Sequence, residues 1–381
     1  MVFEAERDLL VRKGHEVESI EVSNSTIPAS PSPLARLRIA SRTIWSSEGS
    51  ELVARVTRAF RPDVMHAHNT FPLLSPAVFR AARRHGAATV QTIHNYRLIC
   101  PSADLFRDGR PCQDCVGKTV PWPSVVHACY RSSRAQTAVV AGMLSLHRAI
   151  GTWQKDVDAF IALTEFARDR LTEGGLPSDR VIVKPNFLEE IPQPGAGLRE
   201  GFLFVGRLER TKGIMTLLDA ATKLSPSVTI RILGSGPLQP EVEAFARESA
   251  SVEFLGQLDR AQVLATMASS LAVVVPSIWY EPFGLTVIEA YASGTPVIAS
   301  RLGSLQEIVW DGKTGLHFNP GDSGDLAGKL RWAAEHPERM SALGARARVV
   351  YTERYSSEAN YVALRAVYAA AGNRRRQRLA Q

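Results

Sequence analysis

Glu281-Pro282-Phe283-Gly284-Leu285-Thr286-Val287-Ile288-Glu289 is the stretch that decides how this chain is read. It follows Leu271–Pro276, an apolar run with the composition of a buried strand. A Pro-Phe-Gly turn comes after Glu281, and a helix-like run leads on to Glu289. The first carboxylate therefore belongs to the loop at a strand's carboxyl end, and the second to the next helix, about one turn in. In an open parallel α/β sheet, that edge is where ligands bind. A basic pair, Arg207 and Lys212, follows the strand-like run Gly201–Val205 in the same way.

Working outward, strand-like and helix-like runs alternate along the whole chain, which predicts parallel sheets with crossover helices. A first series runs through Glu16–Val22, Val64–His66 and Thr89–Ile93, then a helical Gln136–Trp153, and closes at Ala159–Leu163. A second begins near Val181 and continues through Phe202–Val205, Thr229–Leu233, Val252–Leu255, Ala272–Val275, Pro296–Ala299 and Gly315–Phe318. The expected architecture is two Rossmann-like, doubly wound α/β domains facing a cleft. The first covers residues 1–170, the second 180–355, and helices over 356–372 follow. Ile191–Gly197, rich in Pro and Gly, is expected to be a surface loop. The chain opens on a helix, Phe3–Lys13, where a doubly wound domain ordinarily opens on a strand and a Gly-rich turn.

At 381 residues, with 45% hydrophobic and 22% charged content, the chain suits two soluble domains. Its start lacks the basic and apolar regions of a secretory signal, and no apolar run nears the roughly 20 residues of a spanning helix. A cytoplasmic protein is expected, with any membrane contact peripheral. Residues 31–150 hold 16 Lys and Arg against 6 Asp and Glu, a net of +10 within a chain of +7. Such a run is often only a solvated face; it would also suit an anionic lipid surface or a phosphate-linked acceptor. No helix-turn-helix, finger or RNP-like pattern supports nucleic acid. Arg374-Arg375-Arg376 reads as a frayed tail.

The cations at 207 and 212 suit a diphosphate, whose negative charge grows as its bond to a sugar breaks. Gly206 permits close backbone approach, and Gly213 stands near a helix start that favours anions. Gly234 and Gly236, in Gly-Ser-Gly-Pro after Thr229–Leu233, form another turn at the same edge. Glu289 can accept from two vicinal ribose hydroxyls, Glu281 from a sugar, and the Phe283-Gly284-Leu285 amides can donate. These are the parts of a nucleotide-sugar site. His94 ends a strand of the first series and is a candidate for the chemistry, with His66 and His68 weaker candidates for lining the site. All four cysteines (Cys100, Cys112, Cys115 and Cys129) fall within thirty residues. A structural zinc on four thiolates, unliganded thiols, and a redox or iron–sulfur role all remain open.

Four segments carry a resemblance: GRLERTKG (206–213), GSGP (234–237), EPFGLTVIEAYASGTPVIAS (281–300) and GSLQEIVWDGKTGLHF (303–318). They resemble the donor domain of the retaining glycosyltransferases of family 4, which have the GT-B fold. PDVMHAHN (62–69), QTIHNYRLICP (91–101) and the cysteine cluster resemble a bacterial branch of that family. The resemblance implies sugar transfer from a UDP- or GDP-type donor, with retention and no catalytic metal, to a polysaccharide or lipid-linked acceptor. It assigns the donor diphosphate to Arg207 and Lys212, the ribose to Glu289, the transferred sugar to Glu281, and a place near the reacting sugar to His94. Asn186 matches a hinge asparagine, and the final helices would cross back to the first domain. Family members open with a strand and a Gly-Gly loop that this chain lacks. A catalytically impaired nucleotide-sugar-binding protein is therefore an alternative expectation, and a nucleotide-sugar epimerase a more distant one.

Overall fold

The structure, a computed structural model, describes residues 2–28, 30–189 and 199–380. The loop expected over Ile191–Gly197 lies outside them. The chain divides into two compact units. One comprises Met1–Arg107, Cys112–Lys184 and Tyr361–Gln381; the other comprises Asp108–Pro111 and Pro185–Asn360.

The first unit is built on four parallel strands: β1 (Val64–Ala67), β2 (Ala88–Thr92), β3 (Ala159–Ala162) and β4 (Val181–Val183), side by side in that order. Every residue of β2 and β3 is buried, as expected of parallel strands covered on both faces. Val181–Val183 corrects the expected second series: Phe160 pairs with Val181, so this strand closes the first sheet. The helix Glu165–Glu173 returns the chain beside β3, the usual crossover for parallel neighbours. Glu16–Val22 is not a strand. Its alternation suits a sheet, but a strand exists only where a neighbour completes its ladder, and no described segment pairs with it. The helix expected over Gln136–Trp153 is interrupted by Gly151, whose φ of +71° ends Arg134–Ala149 before Thr152–Lys155 begins.

The arginine run is not a frayed tail. It lies within the helix Ser357–Leu379, where Arg374 reaches Asp179 at 3.1 Å, Arg375 reaches Asp63 at 3.6 Å and Arg378 reaches Asp158 at 2.6 Å.

The second unit holds six parallel strands: β5 (Phe202–Val205), β6 (Ile230–Leu233), β7 (Val252–Gly256), β8 (Ala272–Val275), β9 (Val297–Ser300) and β10 (Gly315–Phe318). They lie in the order β10-β9-β8-β5-β6-β7. The chain therefore winds outward from β5 in one direction, then returns to β8 on its other side and winds in the opposite direction. The loops after β5 and β8 flank the point where winding reverses, the crevice position of doubly wound sheets. Alternate strand residues Phe202, Phe204, Ile230, Ile232, Ala272 and Val274 pack in one core with Leu217, Leu218, Leu326 and Leu330 of the covering helices. Each such large side chain contributes about 1.5–3 kcal/mol on burial. The rigid sheet that results sets the positions of its edge loops.

Candidate functional site

The loops after β5, β6 and β8 are tied together by backbone. Leu208 N donates to Ser235 O at 2.9 Å, Leu238 N to Leu208 O at 2.9 Å, and Ile278 N to Thr211 O at 2.9 Å. Glycines make this approach possible. A Cβ on Gly213 would stand 1.7 Å from the Pro276 carbonyl oxygen, and one on Gly234 would stand 1.8 Å from that of Gly206. Gly236 also lies against the Leu208 backbone, with its Cβ position 2.5 Å from that carbonyl oxygen. Gly213 also has a φ of +71° and caps the helix Ile214–Ala221.

This packing brings Lys212 to Glu281. The Glu281 carboxylate is buried, and its Oε1 accepts from Lys212 Nζ at 2.7 Å, Ser277 Oγ at 2.7 Å and Trp279 Nε1 at 3.0 Å. The Lys212 ammonium also lies 5.3 Å from the Trp279 ring centre. Glu281 thus holds Lys212 in place, while the lysine stays partly open to solvent. Arg207 is more exposed and lies 3.3 Å from Glu209. Beyond the turn, Phe283 packs edge-on against Tyr355, and Gly284, with φ +106°, caps the helix Leu285–Ala292. Glu289 lies in that helix and meets Arg260 at 3.2 Å. Burial pushes its carboxyl above the ordinary carboxylate value, and Arg260 opposes the rise. Sequence reasoning missed Arg260, Ser277 and Trp279; only the capping box Asp259–Gln262 marked Arg260 as a helix start. Asn186 is buried in the second unit, and its Oδ1 has no hydrogen-bond partner.

The first unit places His94 just beyond β2, inside a hydrogen-bonded network. His94 Nε2 lies 2.9 Å from His68 Nδ1, and the two rings stack. His68 Nε2 lies 3.1 Å from Glu6 Oε2, an approach bent away from the ideal N–H direction. Glu6 Oε1 accepts from Lys184 Nζ at 2.6 Å, both side chains being almost fully buried. His66, at the end of β1, contacts Thr92 Oγ1 at 2.8 Å and Tyr368 OH at 3.0 Å. Burial and the neighbouring His68 lower His66 to about 3 and His94 to about 4, so both are neutral near pH 7. Burial alone would raise the Glu6 carboxyl, but Lys184 and His68 outweigh it and hold it well below the usual range. Of this network, sequence reasoning named the three histidines and missed Glu6, Lys184 and Tyr368.

Glu6, His66 and His68 form the one group of three metal-ligand side chains that converge within 4.8 Å among the described residues. A divalent ion there would stand beside the buried Lys184 ammonium and be repelled by it. The four cysteines form no such convergent group. Zn–S bonds of about 2.3 Å would set the sulfurs roughly 3.8 Å apart, so a zinc would have to draw them closer. Burial raises the Cys115 thiol to about 11 and also raises Cys129.

Residues 191–350 match the family described as glycosyl transferases group 1, and residues 4–186 match a glycosyl transferase 4-like domain. A Mycobacterium tuberculosis glycogen synthase is 30% identical over 334 residues, 84% of this chain and 72% of the relative. This chain belongs to the group 1 glycosyltransferases. The group 1 match contains Arg207, Lys212, Glu281 and Glu289; the 4-like match contains Glu6, His68 and His94. Another relative, the phosphatidyl-myo-inositol mannosyltransferase of Mycobacterium leprae, is 34% identical over 209 residues, 51% of this chain and 55% of that one. Solved structures support the GT-B fold. Sucrose-phosphate synthase from Thermosynechococcus elongatus has a TM-score of 0.65 at 20% identity, covering 98% of this chain and 92% of that one. Anabaena HepE in complex with UDP and glucose has a TM-score of 0.63 at 20% identity, covering 85% and 83%.

Proposed function

We propose that this glycosyltransferase moves a sugar, with retention, from a UDP- or GDP-type donor to a polysaccharide or lipid-linked acceptor in cell-surface glycan synthesis. The observation that carries the reading is the Lys212–Glu281 pair at the point where the second sheet reverses its winding. Lys212 is locked in place before any ligand arrives, so its charge needs no reorganisation when a diphosphate leaves. Arg207 supplies a second cation, and the amides of Gly284 and Leu285 at a helix start supply neutral donors. Glu289 takes the ribose hydroxyls. With two cations assigned to the diphosphate, the chemistry needs no metal.

In this mechanism the bond between the anomeric carbon and the donor phosphate oxygen breaks first. The acceptor oxygen bonds to that carbon on the same face, its proton passes to the departing phosphate oxygen, and a nucleoside diphosphate leaves. His94, neutral, accepts a hydrogen bond from a sugar hydroxyl near the reacting centre. Relatives support the donor and acceptor classes: HepE was solved with UDP, and the M. leprae relative is named for mannosyl transfer to phosphatidyl-myo-inositol.

The reading places the enzyme in the cytoplasm, at the inner face of the membrane. No helix among the described residues is long and apolar enough to cross one. Contact would come through residues 31–150, where Arg80, Arg83 and Arg84 line a concavity of about 410 Å³ together with Lys155, Asp156 and Arg378. A structural zinc on Cys100, Cys112, Cys115 and Cys129 remains part of the proposal.

The test is transfer from radiolabelled UDP- and GDP-sugars into lipid and glycan extracts. Acceptor-dependent incorporation with release of the nucleoside diphosphate is expected. Donor binding without transfer to any fraction would overturn the reading.

A further inference from the structure

We propose that Glu6 is a positioning residue, which through His68 fixes the tautomer of His94 so that His94 presents an unprotonated Nδ1. The inference rests on the reading of His94 as a group that meets substrate, but it concerns a property of the protein alone.

The argument follows the donors and acceptors along the chain of contacts. Lys184 Nζ has only protons to offer, and it lies 2.6 Å from Glu6 Oε1. The carboxylate has only lone pairs, and its other oxygen lies 3.1 Å from His68 Nε2; the approach is bent, but negative charge at that distance favours an N–H there over a second lone pair. A neutral imidazole protonated at Nε2 carries a lone pair at Nδ1. His68 Nδ1 therefore accepts from its neighbour 2.9 Å away, and that neighbour is His94 Nε2. His94 is then the Nε2–H tautomer, and Nδ1 keeps its lone pair. No described residue hydrogen-bonds to Nδ1, and the ring borders a small cavity with His68, Asn69, Gln91, Asn95 and Arg97. A group presented there accepts a proton or hydrogen bond from a hydroxyl, whereas the opposite tautomer would donate one.

The same logic predicts what a conservative change does. In Glu6→Gln the amide oxygen must turn to Lys184, which cannot accept. The amide NH2 then faces His68 Nε2 and forces it to accept. The His68 proton moves to Nδ1, His94 Nε2 becomes the acceptor, and His94 carries its proton on Nδ1. One oxygen replaced by nitrogen thus inverts the relay two side chains away. A merely structural role for Glu6 predicts no such inversion.

The experiment is nitrogen-15 NMR of the histidine side chains in the free protein at pH 8, where ordinary imidazoles are neutral. The wild type should show a protonated Nε2 and an unprotonated Nδ1 at His94. Glu6→Gln should exchange the two. Should that variant fail to fold, His68→Phe keeps a stacked ring but removes the partner, and His94 should then populate both tautomers. An Nδ1–H tautomer in the wild type, or an unchanged tautomer in a folded variant, overturns the proposal. Turnover of His94→Ala tests separately whether His94 meets substrate; the NMR result stands whichever way that falls.

Discussion

Lys212 Nζ and Glu281 Oε1 lie 2.7 Å apart, although 69 positions separate them in the chain. Their loops follow β5 and β8, neighbours in the sheet whose register pairs Phe202 with Ala272. Removing the lysine leaves Glu281 with Ser277 and Trp279 as donors, so Lys212→Ala should fold normally. Its transfer rate should fall about 10²- to 10³-fold if the ammonium stabilises the leaving diphosphate. Glu281→Ala should also lose activity, because the lysine loses its anchor. Near-normal transfer in both variants would remove this pair from the mechanism.

Gly213 admits no side chain. An alanine there would meet the Pro276 carbonyl in a left-handed backbone conformation. Gly213→Ala should therefore push the loop after β5 away from the loop after β8. We expect donor affinity, measured by calorimetry with nucleoside diphosphates, to weaken at least about tenfold. The backbone strain alone costs of order 1–3 kcal/mol.

Glu6 and Lys184 neutralise each other in a site closed to water. Glu6→Ala removes a carboxylate that lies 2.6 Å from a buried ammonium, a loss of about 3–5 kcal/mol. Urea denaturation should register it as a lowered midpoint with little change in slope. Replacing both residues, as in Glu6→Leu with Lys184→Met, should recover much of the loss. A double variant as unstable as the single one would argue against this account.

Acid should weaken the first unit. His66 at about 3 and His94 at about 4 lie below the ordinary histidine value of 6.5. As pH falls below about 6.5, the unfolded chain takes up protons that the folded state refuses, so stability drops until the folded values are reached. Each histidine contributes up to about 1.4 kcal/mol per pH unit in that window. The depressed Glu6 carboxyl acts in the same direction below its ordinary 4.5. Urea midpoints from pH 7 to pH 4 should decline steadily, and a flat profile would contradict the buried neutral histidines.

The Cys115 thiol, raised to about 11 by burial, should resist alkylation at pH 8, whereas unfolded protein should label at all four cysteines. Metal analysis belongs with this measurement. Stoichiometric zinc, with labelling that appears only after chelation, would mean that the four sulfurs close around an ion.

Much of this was legible in the chain itself. Apolar runs ending at Val205, Leu233 and Val275 mark strands because parallel strands buried on both faces need uninterrupted apolar residues. The residues that follow them must then lie at one edge of a sheet, which singles out Arg207, Lys212, Glu281 and Glu289. Local pattern failed where a segment's state depends on its neighbour. Glu16–Val22 has a strand's alternation without a partner, and Val181–Val183 has a partner that no local signal announces. Arg374-Arg375-Arg376 reads as a tail because the partners of Arg374 and Arg375, Asp179 and Asp63, are far away in sequence.

By itself, then, the sequence determined the six strands of the second sheet and the turns that follow them, because each depends on residues a few positions apart. Only the tertiary structure decided which charges meet. Strand order puts Lys212 on Glu281, and folding of the first unit brings Glu6 to Lys184 across 178 positions and His68 to His94 across 26. Periodicity carries no information about such pairings. Whether an ion pair or a histidine relay forms is settled by which backbones lie side by side, and that follows from packing of the whole core.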